Sequence, residues 1–168
     1  MFSERLPLTQ SIQALVGDAC VDLLRAYQLE LRAGSTWQET DEPLYTGVMS
    51  FVGDTLRGTC LLAAPEAVVL AAAPPDAGAR DWVGELANQL VGRLKAKLLA
   101  RGASIALSTP VVLRGVRLCP LPRSGAEPMA FESSRGRLLV WVEVEARDEV
   151  DLREQHVPVA AEGELLVF

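Results

Sequence analysis

Asp81-Trp82-Val83-Gly84-Glu85-Leu86-Ala87-Asn88-Gln89-Leu90-Val91-Gly92-Arg93-Leu94-Lys95 lies within Ala79 to Arg101, the most strongly helical segment of the chain. On a 3.6-residue helix, Val83, Ala87, Leu90, Leu94 and Leu98 project along one stripe, reinforced by Leu86 and Val91. That stripe is the expected core face. Almost opposite it, Asp81, Glu85, Asn88 and Gly92 form a single row, with Glu85 and Asn88 as neighbours on the solvent side. Lys95, Lys97 and Arg101 complement the C-terminal end of the helix dipole, and Gly102 is the expected stop.

Upstream, Pro74-Pro75-Asp76-Ala77-Gly78 breaks the chain. Pro65 before it is placed to open a short apolar helix, Glu66 to Ala72, because proline fits where a helix's first N–H has no partner. Leu44 to Val52 and Leu56 to Ala63 are β-rich runs joined by Gly53-Asp54-Thr55, a short hairpin connection. A polar loop, Ser35 to Pro43, precedes them. Apolar residues from Ile12 to Tyr27 recur at helical spacing and predict a first long helix over 8–32, with Thr9 or Ser11 as its cap and Gly34 just past its end.

Downstream, Ser104 to Leu118 (interrupted by Pro110 and Gly115), Met129 to Ser133 and Arg137 to Ala146 read as strands. Leu138, Val140, Val142 and Val144 alternate with Leu139, Trp141, Glu143 and Glu145, which gives one buried and one mixed face. Asp148 to Gln155 reads as a charged loop, and Gly163 to Phe168 as an apolar run expected to pair with an edge. Helix, two strands, short helix, long helix and three hairpin-linked strands predict an α+β fold, an antiparallel sheet covered by two long helices and a short one. The expected division is one domain over 1–147, with 148–168 a C-terminal extension packed on it.

Composition narrows the function. At 168 residues the chain is the size of about one domain. Apolar residues make up 49% and charged residues 23%, globular proportions. A net charge of −6 argues against nucleic-acid or basic membrane-surface binding, which need excess positive charge. No apolar run approaches the roughly 18 residues that span a bilayer, and the N-terminus lacks a secretory pattern. Cys20, Cys60 and Cys119 are odd in number and widely spaced, the usage of a reducing compartment; a cytoplasmic location is expected. His156 is the only histidine and has no nearby cysteine, which disfavours zinc chemistry and a Ser–His or Cys–His nucleophile.

Taken alone, a Glu-x-x-Asn pair on a helix is ordinary solvated surface. Its context changes the weighting. The stretch Asp81 to Lys95 resembles the active-site helix of the CheC/CheX/FliY family of chemotaxis phosphatases, whose pattern is an acidic or serine residue, three positions, Glu, two positions, Asn, and a proline some twenty residues on. Asp81, Glu85 and Asn88 match, and Pro110 follows after 21 intervening residues. Gly47 to Gly53 and Gly58 to Leu62 look like the family's first hairpin, and Glu66 to Ala72 stands where it has a short helix. CheC-like members carry a second Glu-x-x-Asn pair on the first helix; Leu15 to Asp22 has none, which points to the single-site, CheX-like branch.

The resemblance implies hydrolysis of the aspartyl phosphate on a CheY-like receiver domain. Asn88 would orient the attacking water, and Glu85 would pair with the receiver's lysine. Asp81 would cap or support the helix start. Gly92 would leave room for close approach, and Pro110 would shape the neighbouring strand. The domain would need no metal or organic cofactor of its own, since the Mg²⁺ belongs to the receiver. The resemblance also implies a homodimer joined through sheet edges, for which the apolar strand Arg137 to Ala146 is the expected edge. The competing reading is a non-catalytic adaptor or scaffold of the same fold. Trp82 and Trp141 read as packing or interface aromatics.

Overall fold

A computed structural model of the chain describes residues 8–121, 123, 126–147, 150 and 152. Among these, α1 (Leu8–Ala26) is followed by a two-residue strand β1 (Arg32–Ala33), the hairpin β2 (Leu44–Val52) and β3 (Leu56–Pro65), the short helix α2 (Glu66–Ala71) and the long helix α3 (Ala79–Leu99). Then come β4 (Ala106–Leu107), β5 (Val111–Gly115), β6 (Met129–Ser133) and β7 (Gly136–Ala146). The strands form one antiparallel sheet in the order β1-β6-β7-β3-β2-β4, with β5 pairing the other half of β2's outer edge.

Both long helices pack on a single face of this sheet. Gly47, Met49 and Phe51 of β2 share that face with Cys60 and Leu62 of β3, because Met49 opposes Cys60 and Gly47 opposes Leu62. Cys60 in turn opposes Val142, so Leu138, Val140, Val142 and Val144 complete the surface that receives the helices. Ile12, Val16, Leu23, Val83, Leu90, Leu94 and Leu98 close the core from above, all essentially inaccessible. On the opposite face Leu44, Ala63 and Leu139 form a small cluster with Trp37 and Leu61 against it, and Ala130 and Trp141 are also buried. β7 thus carries one apolar face under the helices and one mixed face, which is buried at Leu139 and Trp141 and opens to solvent at Glu145.

The helical pattern over 8–32 is cut short at Ala26. Gln28 takes a left-handed conformation (φ 62°), Leu29 N–H donates to Leu24 O at 3.0 Å, and Gln28 N–H donates to Arg25 O at 2.9 Å. That is a Schellman ending, with Tyr27 as the last half-helical residue. Leu29 and Leu31 are nevertheless buried, so the apolar pattern outlasts the helix in extended chain. Since the helix already runs at Leu8, Thr9 and Ser11 lie inside it and cap nothing. Pro65 is the residue before the first turn of α2 rather than in it, with extended backbone at φ −66°, ψ 158°. At the end of α3 the expected stop is met: Gly102 sits at φ 79°, and Ala103 N–H reaches back to Leu98 O.

The strand Arg137 to Ala146 is not an edge. It is β7, paired along its length with β3 on one side and with β6 on the other. The exposed long edge is instead the β4–β5 side of β2, where Val111 and Leu113 are exposed. Val150 and Leu152 pack against the main core. The expected pairing of Gly163 to Phe168, and His156, fall outside the described residues. No helix among the described residues is long and apolar enough to cross a membrane.

Candidate functional site

Helix α3 is seated on β2 at Gly47, where a Cβ would come within 2.6 Å of Ala87 Cβ and 2.8 Å of Val83 O. Seating one face fixes the other. Asp81 and Asn88 are exposed, while Glu85 and Gly92 between them are half-buried, so the expected row stands on the outer face of α3. A side chain at Gly92 would meet nothing within 4 Å, so the row ends in open space. A cleft lined by Ser50, Arg57, Thr59, Glu143 and Glu145 lies elsewhere, on the sheet face away from the helices.

Two walls flank the row. On the Asn88 side, one residue before Glu85, Gly84 faces Val112 and Pro110, and a methyl there would come within 3.2 Å of Val112 Cγ2. Pro110 is exposed and sits where the outer edge changes from β4 to β5. The edge stays hydrogen-bonded up to that break because Ser108 N–H donates to Ser50 O and Ser50 N–H donates to Ser108 Oγ, both at 2.9 Å. A proline without an N–H is tolerated at such a break. Pro110 thus shapes the strand beside the row.

On the other side stand Trp82 and Gln89, and across from them the end of α1. Gln89 Nε2 donates to Glu85 Oε1 at 2.8 Å, and the Tyr27 hydroxyl donates to Gln89 Oε1, also at 2.8 Å. The Tyr27 ring meets Trp82 edge to face, with centroids 5.6 Å apart. Trp82 packs against the main core, and its indole N–H is buried without a partner among the described residues. Trp141 is also a packing residue, buried with its N–H donated to Ala126 O. Gln89 could be read from the sequence as Glu85's i+4 neighbour; Tyr27 could not, because 62 positions separate it from Gln89.

Of the two roles expected of Asp81, capping or supporting the helix start, the structure excludes the first. Gly78 holds the N-cap position of α3 without a side-chain hydrogen bond, and Asp81 lies in the first turn. Its contribution there is the favourable placement of an anion near the positive end of the dipole. Thiol chemistry has no support at the two core cysteines: burial pushes the Cys60 thiol up to about 12 and Cys20 higher still, the latter raised further by Cys60. Cys119, by contrast, is exposed. No group of three or more His, Cys, Asp or Glu among the described residues could hold a metal ion.

An antiparallel sheet carrying two long helices and a short one on one face is the CheC-like class of α+β domain. Within it, the chain belongs to the CheX family: the family model described as chemotaxis phosphatase CheX matches residues 45–131. Among solved structures, the chemotaxis protein CheX from Vibrio vulnificus superposes with a TM-score of 0.70 at 21% identity, over 83% of this chain and 100% of that one. A CheC-like superfamily protein from Shewanella sp. PV-4 gives 0.68 at 21%, over 83% and 99%. CheX in a CheX–CheY–BeF3–Mg²⁺ complex from Borrelia burgdorferi gives 0.56 at 16%, over 82% and 98%. No sequence among curated proteins matches the chain.

Proposed function

We propose that this chain hydrolyses the aspartyl phosphate of a CheY-like receiver domain, with Asn88 and Glu85 as its catalytic residues. The observation that carries the reading is the pair itself: a carboxamide and a carboxylate side by side on an outward helix face, open at Gly92 and beside the Pro110 strand. A small substrate calls for a concave site; a phosphoryl group held in another protein's cleft calls for side chains that project into it. The CheY seen with the Borrelia burgdorferi relative makes a receiver the natural partner.

The division of labour follows from the groups. Phosphoryl transfer asks for positioning and charge stabilisation more than covalent help. The receiver's Mg²⁺ supplies charge neutralisation on the phosphoryl oxygens. Asn88 offers a donor and an acceptor in fixed geometry, suited to hold a water in line. Glu85 offers a charge for the receiver's lysine and so fixes the approach. Gly92 admits the partner's backbone, Pro110 and Val112 bound the docking face, and Asp81 stays at its rim. A cytoplasmic location accords with such a partner.

The test is to mix the chain with a phosphorylated CheY-like receiver and time phosphate release, which is expected to accelerate. Glu85→Ala is expected to raise the receiver concentration for half-maximal rate several-fold, and the effect should shrink as salt screens the pair. Normal half-saturation with lost turnover would move Glu85 from docking into the chemistry.

The proposed assembly is a homodimer through the β4–β5 edge, since Val111 at 59% and Leu113 at 46% exposure line a strand with unpaired backbone groups. Light scattering at tens of micromolar should give twice the chain mass; a monomer there would remove the assembly.

A further inference from the structure

We propose that Tyr27 and Gln89 form a two-step hydrogen-bond relay that presents the Glu85 carboxylate in its working orientation, which makes Gln89 a positioning residue for docking. The inference rests on the reading of Glu85 as the group that engages the receiver's lysine. A glutamate on an open helix face samples many rotamers, and holding one costs side-chain entropy at the moment of binding. Here that ordering is done beforehand. The geometry at each step leaves little choice. Tyr27 ends α1 in a hydrogen-bonded Schellman turn, and its ring is wedged edge-on against Trp82. Its hydroxyl proton is aimed at Gln89 Oε1, which turns the Gln89 amide so that Nε2 points at Glu85 Oε1.

The direction of the relay matters. A carboxylate oxygen only accepts, so the amide faces it with N–H and turns its oxygen to the phenol, which donates. Oε1 is thereby engaged from the α1 side, and Oε2 makes no hydrogen bond among the described residues. The incoming cation meets an oriented lone pair rather than a mobile carboxylate. Both hydrogen bonds are half-buried, so water competes for them less than at a fully exposed pair. The same relay ties the end of α1 to the working face of α3, two elements separated in sequence by the whole first hairpin.

Two measurements test it. The first is ¹⁵N relaxation of the Gln89 side-chain amide in the full chain. It should be ordered in wild type and become mobile in Tyr27→Phe, which keeps the ring against Trp82 and removes only the hydroxyl. A mobile amide in wild type, or one unchanged in Tyr27→Phe, overturns the relay and leaves the phosphatase reading untouched. The second is a double-mutant cycle, with phosphate release followed against concentration of a phosphorylated CheY-like receiver. Gln89→Met is expected to raise the half-saturating receiver concentration about 3–10-fold with a smaller change in kcat, and to have no further effect in a Glu85→Ala background. Equal losses in both backgrounds would mean that Gln89 acts on the helix and not through Glu85, and would sink the positioning role. If wild type releases no phosphate, it is the functional reading that has failed, and the relaxation measurement alone then decides whether the relay exists.

Discussion

Gly47→Val is expected to destabilise the domain by on the order of 3 kcal/mol, seen as a lowered urea midpoint with an unchanged slope. A Cβ at position 47 would lie 2.6 Å from Ala87 Cβ and 2.8 Å from Val83 O, whereas carbon atoms in good contact sit at about 3.5–4.0 Å. Neither neighbour can retreat by changing rotamer, because one is a β-carbon and the other is helix backbone. The helix itself must move. Local propensity points the other way, since glycine inside a strand costs roughly 0.5–1 kcal/mol relative to alanine. Overpacking outweighs propensity and decides the sign. Gly92 supplies the contrast, for a methyl there meets nothing, and Gly92→Ala should gain up to about 1 kcal/mol from helix propensity alone. Val83 and Ala87 bracket Glu85, so a helix lifted off β2 also displaces the row. An unchanged midpoint for Gly47→Val would show that α3 is not seated on this glycine.

What the chain disclosed in advance was whatever depends on near neighbours. The β2–β3 hairpin was legible almost to the residue, because two β-rich runs and the short Gly-Asp-Thr connection between them are local signals. So was the phase of α3: Val83, Leu90, Leu94 and Leu98 went to the core, and Asp81 and Asn88 to solvent. The end of α1 was not legible, because Leu29 and Leu31 are buried without being helical, and apolar recurrence reports burial rather than hydrogen bonding. β1 is two residues long and carries no period at all. The largest departure concerns strand order. Whether β7 lies at an edge or in the middle depends on β3 returning to it across some seventy intervening residues, and no local pattern encodes that pairing.

The candidate site divides along the same line. Asp81, Glu85, Asn88 and Gly92 share one helix, so their alignment follows from 3.6-residue geometry. Gly84 against Pro110 and Val112, and Tyr27 against Gln89 and Trp82, are tertiary contacts that only the folded chain brings about. Asp81 supports the helix start without capping it, for a smaller reason. The helix starts at Ala79, with Gly78 before it, which places Asp81 in the first turn and out of the capping position.

Asn88→Ala is expected to lower kcat for receiver dephosphorylation by on the order of 10²-fold or more, about 2.7 kcal/mol of transition-state stabilisation, with the half-saturating receiver concentration little changed. The split follows from what Asn88 is proposed to touch. A group that orients water only on the way to the transition state adds nothing to ground-state docking, so its loss appears in turnover and not in affinity. Folding cannot masquerade as the effect. Asn88 is exposed, its removal leaves no cavity, and alanine is the better helix former by up to about 0.7 kcal/mol, so the variant should be as stable as wild type or slightly more so. Activity and stability therefore move in opposite directions, which a destabilised helix would not produce, and the unchanged half-saturating concentration sets the effect apart from a disturbed docking face. Wild-type turnover in Asn88→Ala would end the assignment of catalysis to this helix. The adaptor reading, in which the same row recognises a receiver without acting on its phosphate, would then be the better account, with receiver binding by Asn88→Ala and its weakening by Glu85→Ala as what remains to be seen.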